Sequence, residues 1–230
     1  GSKYLTITNK ELEEVSFQGA AWAVEKGYGT SKDIQRIESY GRLPVSELQI
    51  SDRAIARGRP QLGSLGSGNH FLEVGYVDAV YDVDIAAEWG LFPGKMTILV
   101  HTGSRGYGHQ ICDDFLADMR KDPLMNKIFL PDKQLVYAPL GSPLANRYLN
   151  AMGAAANYAF ANRQIIMTLA QRVWEKKMRG LPHADQFKLL YDVAHNLAQF
   201  EAMGVGDDRI EYLIHRKGET RALPPYHGAL

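Results

Sequence analysis

Ile98-Leu99-Val100-His101-Thr102-Gly103-Ser104-Arg105-Gly106 runs from a short apolar stretch straight into a loop of glycine, hydroxyl groups and one arginine. The apolar part predicts a short buried strand over Met96–His101. A histidine at a strand end is held by the sheet while its ring reaches into the space the loop encloses. Two further histidines stand in similar settings. They are His70 in Gly66-Ser67-Gly68-Asn69-His70-Phe71-Leu72-Glu73 and His195 in Leu189-Leu190-Tyr191-Asp192-Val193-Ala194-His195-Asn196. Unlinked in sequence but alike in context, the three have the pattern of a divalent-metal site assembled across strands.

Working outward, residues 71–81 alternate well enough for a strand, and two more strands are predicted over 187–193 and 209–215. Residues 7–25 read as a first helix, with Thr8 as N-cap and Glu11 at capping-box spacing. Gly27, Gly29 and Ser31 end it, and a shorter amphipathic stretch runs to about Tyr40. Residues 42–69 read as a polar loop containing Arg57-Gly58-Arg59, with Gly63, Gly66 and Gly68 near its end. A helix is expected over 110–120, and the longest one opens at Leu140-Gly141-Ser142-Pro143. Ser142 is its N-cap, Pro143 its first residue, and it runs to about Lys177. No repeat or composition shift divides the chain. The expected class is α+β: one domain, with a mixed β-sheet core and flanking helices. Residues 1–59 form its N-terminal helical part and loop, and 60–230 carry the histidine motifs.

Basic and acidic residues balance at 26 each, so a polyanion would be bound by local clusters rather than by bulk charge. The 45% hydrophobic content suits a sizeable core. A single cysteine, Cys112, excludes an intrachain disulfide and makes a cytoplasmic setting the expectation. It is expected to pack on a helix rather than ligate. No apolar run approaches the roughly eighteen residues of a membrane span, and no signal peptide is visible. Gly1-Ser2 reads as a cleavage scar, and residues 224–230 carry no helix or strand signal, so an excised piece of a longer protein is expected.

Each motif has two readings. Gly63-Ser64-Leu65-Gly66-Ser67-Gly68 either cradles phosphate with backbone N–H groups or makes a hairpin loop. It precedes a strand instead of joining one to a helix, so it is not a dinucleotide fingerprint. The Arg105 fork suits phosphate oxygens, but its loop also reads as ordinary surface. His109 reads as structural. Asp192 could accept from an imidazole. His215-Arg216-Lys217-Gly218-Glu219-Thr220-Arg221 is either a solvated turn or a phosphate-contacting loop. Residue chemistry thus reaches an enzyme-like domain with a histidine-rich metal site and a phosphate-bearing ligand.

Several of these stretches together resemble the RtcB family of RNA ligases, the tRNA-splicing ligases. They are the run from Pro60-Gln61-Leu62-Gly63 to Asn69-His70-Phe71-Leu72-Glu73, then His101-Thr102-Gly103-Ser104-Arg105-Gly106, Tyr191-Asp192-Val193-Ala194-His195-Asn196 and His215-Arg216-Lys217-Gly218-Glu219-Thr220-Arg221-Ala222. Tyr148-Leu149-Asn150-Ala151-Met152, Asn157-Tyr158-Ala159 and Asn162-Arg163 also fit, and the match covers about residues 60–225. The resemblance implies an RtcB-like fold and a GTP- and manganese-dependent ligase. It would join RNA ending in a 2′,3′-cyclic phosphate or 3′-phosphate to 5′-hydroxyl RNA, such as tRNA halves, through a histidine–GMP intermediate. It further implies His70, His101 and His195 as manganese ligands in a two-metal site, and Asn69, Glu73 and Asn196 as guanylate contacts. Arg105 and Lys217 are implied as RNA-phosphate contacts.

The sequence also departs from the family pattern. The family's metal-binding Asp and Cys precede the Asn-His-Phe-Leu-Glu motif in a segment that has no counterpart here. Its nucleophilic histidine, in His-Gly-Ala-Gly-Arg, and its terminal guanine-contacting lysine have none either. His227-Gly228-Ala229-Leu230 matches the nucleophile motif only superficially. The expectation is therefore a piece that cannot be guanylylated and binds metal weakly. Alternatives are a metal- and RNA-binding piece without catalysis, a metal-dependent phosphohydrolase, and a module that pairs with missing segments on another chain.

Overall fold

A computed structural model describes residues 5–132, 135–182, 186–204 and 209–221 of the chain. Thr8 caps the first helix, α1 (Asn9–Gln18), by accepting from Glu11 N, and Glu11 returns a bond to the Thr8 backbone. The single helix expected over 7–25 is broken after Gln18, and α2 follows (Ala20–Glu25). Gly19 causes the break. Its φ is +60°, and a Cβ there would lie 2.0 Å from the Gly41 carbonyl oxygen, a contact only glycine permits. A short α3 (Ser31–Ile34) and a 3₁₀ turn (Glu38–Gly41) follow.

Three elements depart from the sequence reading. The segment read as a polar loop contains α4 (Asp52–Gly58), capped by the Ser51 side chain on Ala54 N. After strand β1 (Phe71–Tyr76), which stops short of residue 81, comes α5 (Val83–Trp89) with Asp82 as its cap. Residues 187–193 are not a strand; only an isolated bridge joins Asp192 to Ile37. The strand lies just beyond, as β3 (Asn196–Met203). Elsewhere the expectations for α7 (Pro143–Lys177) and β4 (Ile210–Lys217) hold closely. β2 covers Met96–His101 as expected but is not buried, with Leu99 51% exposed. α6 (Arg105–Lys121) starts five residues early, so Arg105 opens a helix instead of lying in a loop.

The α+β class is borne out, but the expected mixed β-sheet core is not found among the described residues. The strands form two antiparallel ribbons, β1 with β2 and β3 with β4, and the deepest packing is among helices. The larger core joins Leu12, Val15 and Trp22 to Tyr107, Ile111 and Phe115 across Ala151, Tyr158 and Ile165 of α7. Burying one such aliphatic side chain stabilises the fold by about 1.5–3 kcal/mol. A second cluster places Ala20, Ile37 and Leu43 against Phe160 and Leu197. The two clusters take different sides of α7, so it is buried nearly all round from Gly153 to Thr168. No helix among the described residues is long and apolar enough to cross a membrane.

Candidate functional site

Helix α7 supplies the frame. Asn162 is fully buried, and its Oδ1 accepts from Gly63 N at 2.7 Å and Ser64 N at 3.1 Å. Its Nδ2 donates to Ser64 O and Gly103 O, so one amide ties the glycine-rich loop before β1 to the loop after β2. Pairing between β1 and β2 puts Phe71 opposite His101 and Glu73 opposite Leu99. Directly opposed residues share a sheet face, so Glu73 lies on the same face as His101. The Phe71 ring meets that of His101 edge-on at 5.3 Å.

His101 Nε2 lies 3.1 Å from His195 Nε2, although 94 positions separate the two residues. Either one Nε2–H donates to the other ring or both lone pairs face one cation. Two nitrogens bound to one divalent ion at roughly 2.1 Å, near a right angle, sit about 3 Å apart. The His70 ring lies 6.0 Å from that of His101, centre to centre. Thr102 gives its hydroxyl proton to Leu65 O at 2.6 Å and so turns a lone pair toward His70 Nδ1, 3.5 Å away. Arg105 Nη1, a donor only, lies equally close to the same nitrogen, so the two neighbours favour opposite tautomers of His70.

Burial, then Arg105 and His101, holds the His70 imidazole below its ordinary range. Burial, then His101 and Lys217, does the same to His195. Both shifts favour the neutral rings that bind metals. Among the described residues, no group of three or more His, Cys, Asp or Glu is arranged to hold a metal ion. The close unit is the His101–His195 pair, with His70 beside it.

The cations divide. Arg105 adopts φ +56°, a left-handed conformation unusual for a large side chain. Its Nη1 comes within 3.5 Å of His70 Nδ1, and its Nε donates to Ser64 Oγ at 3.4 Å. Lys217 is exposed and donates to Asn196 Oδ1 at 3.3 Å, the oxygen that also accepts from Gly218 N. These two residues, read separately from sequence, are paired across β3 and β4. Asn69 is exposed beside the glycine-rich loop. Arg216 is neither solvated nor turned to a ligand: its Nη2 donates to buried Glu38 at 2.6 Å. Alternation along β4 foretells this, with exposed His215 and Lys217 on either side of it. Asp192 does not accept from an imidazole. It pairs with Arg163 Nε at 2.7 Å, and burial pushes its carboxyl up against the opposing pull of that guanidinium. Cys112 is exposed on α6. The superficial nucleophile match at 227–230 lies outside the described residues.

Glu38 carries no periodic signal that would mark it as buried, and sequence reasoning missed it. Gln61 has no separate signal in the sequence, yet its Oε1 accepts from Gly106 N in the first turn of α6.

The family model of RtcB, tRNA-splicing ligase RtcB, matches residues 1–230. The chain belongs to the RtcB family. It is 46% identical over 223 residues to tRNA-splicing ligase RtcB of Archaeoglobus fulgidus, covering 96% of this chain and 46% of that protein. To the Methanococcus maripaludis protein of the same name it is 43% identical over 232 residues, covering 100% of this chain and 48% of that one. To the Thermococcus kodakarensis protein it is 44% identical over 218 residues, covering 94% and 45%. The chain thus spans about half the length of these RtcB relatives.

Proposed function

We propose that this chain carries the histidine and phosphate side of an RNA-ligase centre that uses GTP and manganese to join 3′-phosphate or 2′,3′-cyclic-phosphate RNA to 5′-hydroxyl RNA. The approach of His101 Nε2 to His195 Nε2 at 3.1 Å, with His70 alongside, carries this reading. Those three imidazoles would hold the cation, their neutral state favoured by burial. Bound there, the metal neutralises charge on phosphoryl oxygens during in-line transfer. The chain's own groups do the rest. Arg105 offers a planar fork to a phosphate from beside His70, and Lys217 a point charge from the far ribbon. Asn196, Asn69 and Glu73 would orient the guanylate. The lone thiol fits a reducing cytoplasm.

Calorimetric titration with Mn²⁺ tests the reading, with abolished binding expected for His101→Ala and His195→Ala. Unchanged binding in both would sink it. RNA capture by an oligonucleotide with a 3′-phosphate should weaken with salt, and Arg105→Ala or Lys217→Ala should each reduce the slope by about one. These 230 residues alone should take no covalent label from radiolabelled GTP, since the family's nucleophile motif has no full counterpart among them.

A further inference from the structure

Arg163 leaves α7 between the two segments that carry the close histidine pair, and its guanidinium is shared between them. Nε donates to Asp192 Oδ1 at 2.7 Å, three positions before His195. Nη1 donates to Thr102 O at 3.2 Å, one position after His101. The side chains of Arg163 and Asp192 are only 12% and 9% exposed. The Asp192 backbone is fixed too: its N donates to Arg36 O at 2.9 Å and its O accepts from Glu38 N at 2.8 Å. Past Asp192, the Glu38 carboxylate accepts from Ala194 N at 2.9 Å and from Arg216 at 2.6 Å, while Gly218 N donates to His195 O.

Two buried ion pairs around residues 192–195 are not explained by stability. Desolvating such a pair costs about as much as its attraction returns, and apolar side chains of similar volume would hold the fold as well. What apolar residues cannot do is fix two separate backbones at a set distance through one rigid planar group.

The geometry points to Arg163 as a positioning residue: clamped by Asp192, its fork sets the separation of the His101 and His195 rings, while Glu38 and Arg216 set the heading of the chain through Ala194. The inference rests on reading those rings as a joint ligand pair, but its test does not require metal. Lysine at 163 keeps the charge yet has no fork to reach both Asp192 and Thr102.

The test is proton NMR of the whole 230-residue chain, labelled in histidine, reading the nuclear Overhauser contact between the ring protons of His101 and His195. Arg163→Lys and Asp192→Asn should lose most of that contact. Asn157→Ala, which removes a buried amide elsewhere on α7, should lower the melting temperature and keep the contact. Retention in both Arg163→Lys and Asp192→Asn would overturn the inference, as would equal loss in Asn157→Ala or absence from the unmodified chain. Should Arg163→Lys not fold, Asp192→Asn decides. Mn²⁺ broadening of the ring signals is a separate arm. Its absence would count against the metal reading and leave the positioning result standing. Where metal binds, Arg163→Lys should weaken it by about ten- to a hundredfold.

Discussion

At Gly66 the backbone has φ +110°, and a Cβ there would lie 2.1 Å from Arg105 Nη1 and 2.7 Å from His70 Nδ1. Backbone strain and collision add, so Gly66→Ala should cost about 2 kcal/mol in urea unfolding and displace Arg105 from His70. The two lowered imidazoles set a pH dependence. A histidine whose folded value is depressed contributes stability that is complete above the unfolded value, about 6.5, and lost as pH falls toward the folded value. The denaturant midpoint should therefore drop between about pH 7.5 and about pH 5.5. The drop should shrink in the double variant His70→Gln, His195→Gln; an unchanged drop would show that other groups cause it. At this scale the histidines were legible because each sits at a strand-like end within two positions of glycine or asparagine. Glu38 and Arg163 were not, because a buried charge looks like a surface charge until its partner, more than a hundred positions away for Glu38, is folded against it.

Asn150, Asn157 and Gln164 stand seven apart on α7; the first two grip one segment, residues 42–51, and the third the turn after α2. Asn150 accepts from Ser46 N, Asn157 bonds Leu43 N, Leu43 O and Ser16 O, and Gln164 donates to Tyr28 O. Seven residues are nearly two turns, so the three amides share a face. Asn162 grips from another side with four bonds. Asn162→Ala leaves buried backbone groups unpaired and should cost about 2–4 kcal/mol, with faster amide exchange at Gly63 and Ser64. By contrast, Ser142→Ala removes only a terminal cap on Ala145 N and should cost about 1 kcal/mol. The limits of this helix were readable because Ser142-Pro143 marks a start chemically. β3 was not readable, since Asn-Leu-Ala-Gln-Phe-Glu-Ala-Met is rich in helix formers and becomes a strand only by pairing with β4. α4 and α5 were missed although Ser51 and Asp82 stand where caps belong.

Across the whole molecule, the helical core is dense while the β1–β2 ribbon is open. Phe71, Leu72, Val74, Tyr76, Met96 and Leu99 are between 38% and 63% exposed. Two strands alone are marginal in water, so amide exchange in β1 and β2 should outrun that in the middle of α7 by orders of magnitude. Exchange at equal rates would mean the ribbon is better supported than its exposure suggests. The row of amides along α7 has a consequence for evolution and engineering. Substitutions at its exposed ends, near 146–147 and 172–177, leave the loops where they are, but one residue inserted after Asn157 would rotate everything beyond it by about 100°. Arg163 would then swing off Thr102 and Asp192 while Asn150 and Asn157 kept their grips. The helix works like a camshaft, its angular phase timing two rings that the chain keeps far apart. Members of this lineage should therefore tolerate new side chains at its exposed ends far more readily than a change in its length.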